Sequence, residues 1–194
     1  MTGRTLKSVA VFCGSNAGNS DNYASAARSV GTLLAHRNMD LVCGGTSKGL
    51  MSELIVAAAD AGGKIVGIVP RRLADQGQQH PRLSTCEIAE TMQARKQRMF
   101  ELADAFIAIP GGMGTIQELT EVVTLNQLGQ IDKPIGLLDV EGFFSDFMEF
   151  VSSMVRRGFL PEAHRSFISV KSDPDGLLDA IIATAPISGS KWQK

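Results

Sequence analysis

The chain has 194 residues, 44% hydrophobic and 20% charged, which is enough for one well-buried domain. Its formal charge of -1 gives no electrostatic footing for nucleic acid or an anionic membrane surface, so an anion would have to be held locally. The leader has no apolar stretch of signal length, no 18-residue apolar run occurs, and His36, His80 and His164 are scattered, so a cytoplasmic protein without metal or other cofactor is expected.

Residues 9–13 read as a buried strand, and the loop 14–21 ends in helix-cap residues before a helix over 22–36. The loop lacks the G-x-G-x-x-G spacing of a dinucleotide fingerprint. Residues 41–43 form a second short strand, and Gly44-Gly-Thr-Ser-Lys-Gly49 turns into a helix over 50–61. That turn is no Walker A loop, because Leu50 and Met51 follow Gly49. It reads equally as a tight turn with a solvated Lys48 and as a phosphate or ribose contact.

A third strand over 65–69 stops at Pro70, and 71–84 reads as a long exposed excursion of the kind that forms lids or binding loops. Residues 91–102 follow as a helix with an apolar stripe of Met92, Met99 and Leu102. Arg95 lies on the same stripe. A guanidinium there either meets a partner or anionic ligand, or packs its stem while its head reaches water. Met92, Met99, Met148 and Met154 read as core filling, and Cys13, Cys43 and Cys86 as reduced core residues without C-x-x-C spacing.

The stretch 103–124 organises the rest. The apolar run 105–109 suits a strand covered on both faces, Pro110 ends its pairing, and Gly111, Gly112 and Gly114 free the backbone for unusual conformations. Thr115 and Glu118 read as a capping box, opening a helix to about Leu128. Such a turn leaves N–H groups unpaired at the positive end of a helix, a seat for phosphate. Glu118, Glu121 and Thr124 make a polar stripe at i, i+3, i+6 beside it. Glu118 can serve as a cap alone or as a carboxylate aimed at a ligand.

Further on, 134–138 reads as a strand, 143–157 as an amphipathic helix and 167–170 as a last strand. Asp173-Pro174 then caps a helix through Ala183, and 187–194 reads as a loose tail after a domain of 1–186. Strands alternating with helices predict a single-domain, doubly wound, Rossmann-like parallel α/β sheet.

Pro110-Gly-Gly-Met-Gly-Thr-Ile-Gln-Glu118 resembles the Pro-Gly-Gly-x-Gly-Thr-x-x-Glu signature of the LOG ("lonely guy") family, the cytokinin riboside 5'-monophosphate phosphoribohydrolases. Phe12-Cys-Gly-Ser15, Leu41-Val-Cys-Gly-Gly-Thr-Ser-Lys-Gly-Leu-Met51, Met92-Gln-Ala-Arg-Lys96, Gln127-Leu-Gly and Lys133-Pro-Ile-Gly-Leu-Leu138 follow in the family's order. The resemblance implies hydrolysis of the N-glycosidic bond of AMP or a cytokinin riboside monophosphate by a homodimer without cofactor. Its catalytic pair falls on Arg95 and Glu118. Substrate contacts fall on Lys96, Ser15, Gly44, Gly45, Gly111, Gly112, Met113, Gly114 and Thr115, with Glu121 and Thr124 at the ribose or holding Arg95. Gln93 replaces the family's His, while Met113 and Leu125 stand where relatives often have Tyr and Trp. The excursion lacks the family's usual substrate-contacting Glu at a recognisable place. A carrier of the same fold, resembling molybdenum-cofactor carrier proteins, is the alternative. Lysine decarboxylase chemistry, a label attached to such sequences, would need a Schiff-base lysine for which no recognisable setting occurs.

Overall fold

The computed structural model describes residues 4–185; the expected tail lies outside them. Seven strands and eight helices follow in the order β1 (Ser8–Phe12), α1 (Asp21–His36), β2 (Asp40–Cys43), α2 (Gly49–Asp60), β3 (Ile65–Pro70), α3 (Arg71–Asp75), β4 (Thr85–Ala89), α4 (Met92–Leu102), β5 (Ala105–Ala108), α5 (Met113–Gln127), β6 (Ile135–Leu138), α6 (Ser145–Arg156), α7 (Glu162–Arg165), β7 (Ile168–Lys171) and α8 (Pro174–Ala183).

All strands are parallel in one sheet of order β4-β3-β2-β1-β5-β6-β7. Alternation along each strand divides the core. Val9 and Val11 face one layer with Leu41, Leu54 and Leu178, beneath α1, α2 and α8. Ala10 and Phe12 face the other with Phe106, Leu119 and Met148, beneath α4, α5 and α6. Phe12 stacks on Phe106 and meets Phe100 edge-on, each at about 6 Å between ring centres.

This is the doubly wound sheet expected, and its strand order reverses between β1 and β5. Ligands of such folds collect outside the carboxyl ends of the strands at that reversal. The loops after β1, β2 and β5 meet there: Gly14 N donates to Pro110 O at 3.1 Å, and Leu50 N donates to Gly14 O at 3.1 Å.

The excursion after β3 is more ordered than expected. It holds α3, and β4 follows as an edge strand that carries Cys86 on an exposed position. Buried His80 staples it: its N–H bonds Gly45 O at 2.8 Å and its Nε2 lies 3.3 Å from Ser52 Oγ. Cys86 is therefore not a core residue, although Cys13 and Cys43 are. Met92 is likewise 54% exposed, leaving Met99 to fill the core beneath α4.

Candidate active site

Two helices face each other across the reversal and supply the charges. Thr91 caps α4, its side chain accepting from Ala94 N, which sets the helix so that Arg95 and Lys96 both turn inward. Arg95 is only 7% exposed; its Nε donates to Ile68 O at 3.0 Å and its Nη1 to Glu118 Oε1 at 2.8 Å. The head of Arg95 therefore does not reach water. A methyl on Gly44 would lie 2.0 Å from Arg95 Nη2, so the turn after β2 needs glycine there to admit the guanidinium.

Glu118, 9% exposed on α5, is the acceptor. Burial pushes its carboxyl above the usual glutamate value; Arg95 and Lys96 pull it back, and Glu121 adds to the rise. One turn on, Glu121 accepts from Lys96 Nζ and, at 3.2 Å, from Gln93 Nε2. Two ion pairs thus run side by side; in the fully buried one, Arg95–Glu118, removing one member strands its partner at a cost of about 3–5 kcal/mol. Cys13 and Cys43 lie close by, but burial drives Cys13 well up and Cys43 to about 12. Neither thiol is a nucleophile at neutral pH.

The glycine turn works differently from the expectation. The N-cap of α5 is Gly112, with no side-chain bond, so Thr115 and Glu118 form no capping box; Thr115 lies within the first turn, buried. None of Gly111, Gly112 and Gly114 has a positive φ. Gly111 is required by packing, since an added methyl would lie 2.2 Å from Thr115 Oγ1 and 2.7 Å from Gly14 N. At Gly112 and Gly114 an added methyl would meet nothing within 4 Å. The first-turn N–H groups of α5 are thereby open to an approaching anion.

These groups border a cavity of about 280 Å³. Of the expected site residues, Arg95, Lys96, Glu118, Ser15, Gly44, Gly112, Met113, Gly114 and Thr115 line it. Four do not. Glu121 stands behind Lys96, Gly111 packs on Gly14, and Gly45, at φ +71°, packs on Gly67. Thr124 is exposed and donates to Thr120 O at 2.7 Å within its own helix. The sequence reading missed the apolar side of the cavity, where Met51, Leu73 and Met92 face the charges. Leu73 is in the excursion flagged as a binding loop; Met92 looked like a core stripe.

Among the described residues no group of three or more His, Cys, Asp or Glu could hold a metal, and no helix is long and apolar enough to cross a membrane.

Residues 51–181 match the family model described as "Possible lysine decarboxylase". The chain is 42% identical over 168 residues to "Cytokinin riboside 5'-monophosphate phosphoribohydrolase LOG1" of Arabidopsis thaliana, spanning 86% of this chain and 79% of that protein. The protein belongs to the LOG family. A second Arabidopsis thaliana relative of this LOG chain, "Cytokinin riboside 5'-monophosphate phosphoribohydrolase LOG2", is 41% identical over 170 residues, 87% and 80% of the two chains. The solved molybdenum cofactor carrier protein of Chlamydomonas reinhardtii superposes with a TM-score of 0.71 over 91% of this LOG chain and 96% of its own. At 21% identity, that likeness concerns the fold alone.

Proposed function

We propose that this LOG protein hydrolyses the N-glycosidic bond of an adenosine 5'-monophosphate, N6-prenylated or plain, giving free base and ribose 5-phosphate. The observation that carries the reading is the buried Arg95–Glu118 pair, which joins α4 to α5 on the same cavity as the open glycine N-terminus of α5. The phosphoribohydrolase activity for which the two Arabidopsis thaliana relatives are named supports it.

The 5'-phosphate is assigned to the N–H groups of Gly112 to Thr115 and to Ser15, at the positive end of α5. The ribose then lies along the first turns of α5, over Glu118. As the C1'–N bond breaks, its electron pair leaves with the base and positive charge grows on the ribose ring. The Glu118 carboxylate stabilises that charge and directs a water, whose oxygen bonds C1' while one proton passes through the carboxylate to the departing nitrogen, giving the neutral base and restoring Glu118. Arg95 holds Glu118 in place and favours its ionised form; Lys96 balances charge at the phosphate or the leaving base. The apolar side formed by Met51, Leu73 and Met92 is assigned to the base.

The chain is further proposed to act as a homodimer in the cytoplasm. The family resemblance supports the dimer, and free buried thiols suit a reducing compartment.

Chromatography of products after incubation with AMP and N6-isopentenyl-AMP tests the activity. Release of base and ribose 5-phosphate is expected. A thermal shift with AMP but no base would select the carrier reading instead. The decarboxylase label gains nothing from the site: Lys96, the lysine on the cavity, is ion-paired to Glu121 rather than held as the free amine that a Schiff base requires.

A further inference from the structure

With a nucleoside monophosphate assigned to the larger cavity, a second one remains without a role. It encloses about 180 Å³ on the other side of the glycine turn, and Ala17, Tyr23, Leu50, Pro110 and Phe143 are among its walls. The two cavities share Ser15 and Gly112. They therefore meet where the 5'-phosphate is assigned.

This second cavity has fixed aromatic walls. Gly18 lies against Tyr23, so closely that an added methyl would come 2.6 Å from the ring. Tyr23 meets Phe143 edge-to-face, 6.2 Å between ring centres. Ser20 Oγ and Asn22 Nδ2 both donate to Glu141 Oε1, at 2.8 and 2.5 Å, which ties the loop after β1 to the loop after β6. No charged side chain lines it, so a charged group there would be poorly matched and a ring with a modest polar rim well matched.

We infer that this LOG protein also binds nucleotides whose 5'-phosphate continues through a pyrophosphate link to a second ring, the ADP-ribose and dinucleotide class. The nucleoside half occupies the Arg95–Glu118 cavity, the pyrophosphate crosses Ser15 and Gly112, and the second ring lies against the wall formed by Tyr23 and Phe143. The inference rests on the nucleotide reading of the first cavity.

Calorimetric titration of the full chain with AMP, ADP and ADP-ribose tests it, using Glu118→Gln so that the ligands stay intact. ADP-ribose is expected to bind roughly tenfold or more tighter than ADP, which carries the second phosphate without the ring. Ala17→Trp, which fills the second cavity, should abolish that advantage and leave AMP turnover in the otherwise native chain unchanged; Phe143→Ala should reduce it by a smaller factor. AMP binding with no preference for ADP-ribose over ADP would overturn the inference while sparing the monophosphate site. Absence of AMP binding would overturn both.

Discussion

Two glycine turns that look alike in sequence, after β2 and after β5, use their glycines for opposite purposes. In the first, Gly45 and Gly49 take positive φ, and every absent Cβ is matched by something pressed close: Gly67 against Gly45, the Ser15–Asn16 backbone against Gly49, the Arg95 head against Gly44. In the second, only Gly111 is packed; Gly112 and Gly114 have ordinary backbone angles and empty space beside them. One turn is glycine-rich because the protein fills the room, the other because the protein leaves it open. The first turn is a structural clamp around Arg95, and the second is the opening.

The widest separation should come from the charged pair that both turns serve. Glu118→Gln keeps the size and loses the charge, and its turnover of AMP is expected to fall by roughly a hundredfold or more. Wild-type rates in a product assay would return Glu118 to a structural role. Arg95→Ala should lose a similar factor, and also stability, since it leaves Glu118 buried without its guanidinium.

The turns themselves give the sharper contrast. Gly45→Ala forces a left-handed residue into contact with Gly67, and a loss of about 2 kcal/mol or more is expected in denaturant unfolding. Gly114→Ala, in the first turn of α5, should leave stability unchanged or raise it by up to about 1 kcal/mol, because alanine favours helix, yet weaken the monophosphate's kcat/KM by about tenfold. If Gly114→Ala unfolds the protein or leaves kinetics untouched, the division between the turns fails.

A smaller effect is expected in the pH profile. Since burial holds Glu118 above the usual carboxylate value and its ionised form is the active one, activity should fall with acidification at a higher pH than an ordinary glutamate would dictate. The same raised value means that the native state binds more protons than the unfolded chain in that window. Glu118's contribution to stability is therefore lost as pH rises through it, while activity grows. Glu121→Gln removes a like charge beside Glu118 and frees Lys96, so it should move the acid limb to lower pH; an unmoved limb would show that the second ion pair is electrostatically separate.

Much of this was legible in the residues because buried parallel strands are continuous apolar runs, and 9–13, 65–69 and 105–109 are such runs. β4 escaped because it is an edge strand whose Thr85 and Cys86 are exposed and whose Glu87 pairs with Arg98. α3 and α7, at five and four residues, are too short to show a period. At the site, Arg95 stood out because a charge on an apolar stripe demands a partner; that the partner is Glu118 is a matter of two helices meeting, which spacing does not encode. Met92 shared that stripe but lies at the helix start beyond the core's edge. Gly112 was not read as the helix cap because a glycine cap offers no side chain to recognise.

The most direct measurement compares kcat/KM for AMP and adenosine on the same preparation. The open amide protons of α5 recognise the anion that adenosine lacks, so the monophosphate should be preferred by a hundredfold or more, roughly the value of two to three charge-assisted hydrogen bonds. Equal turnover of the two would contradict the account.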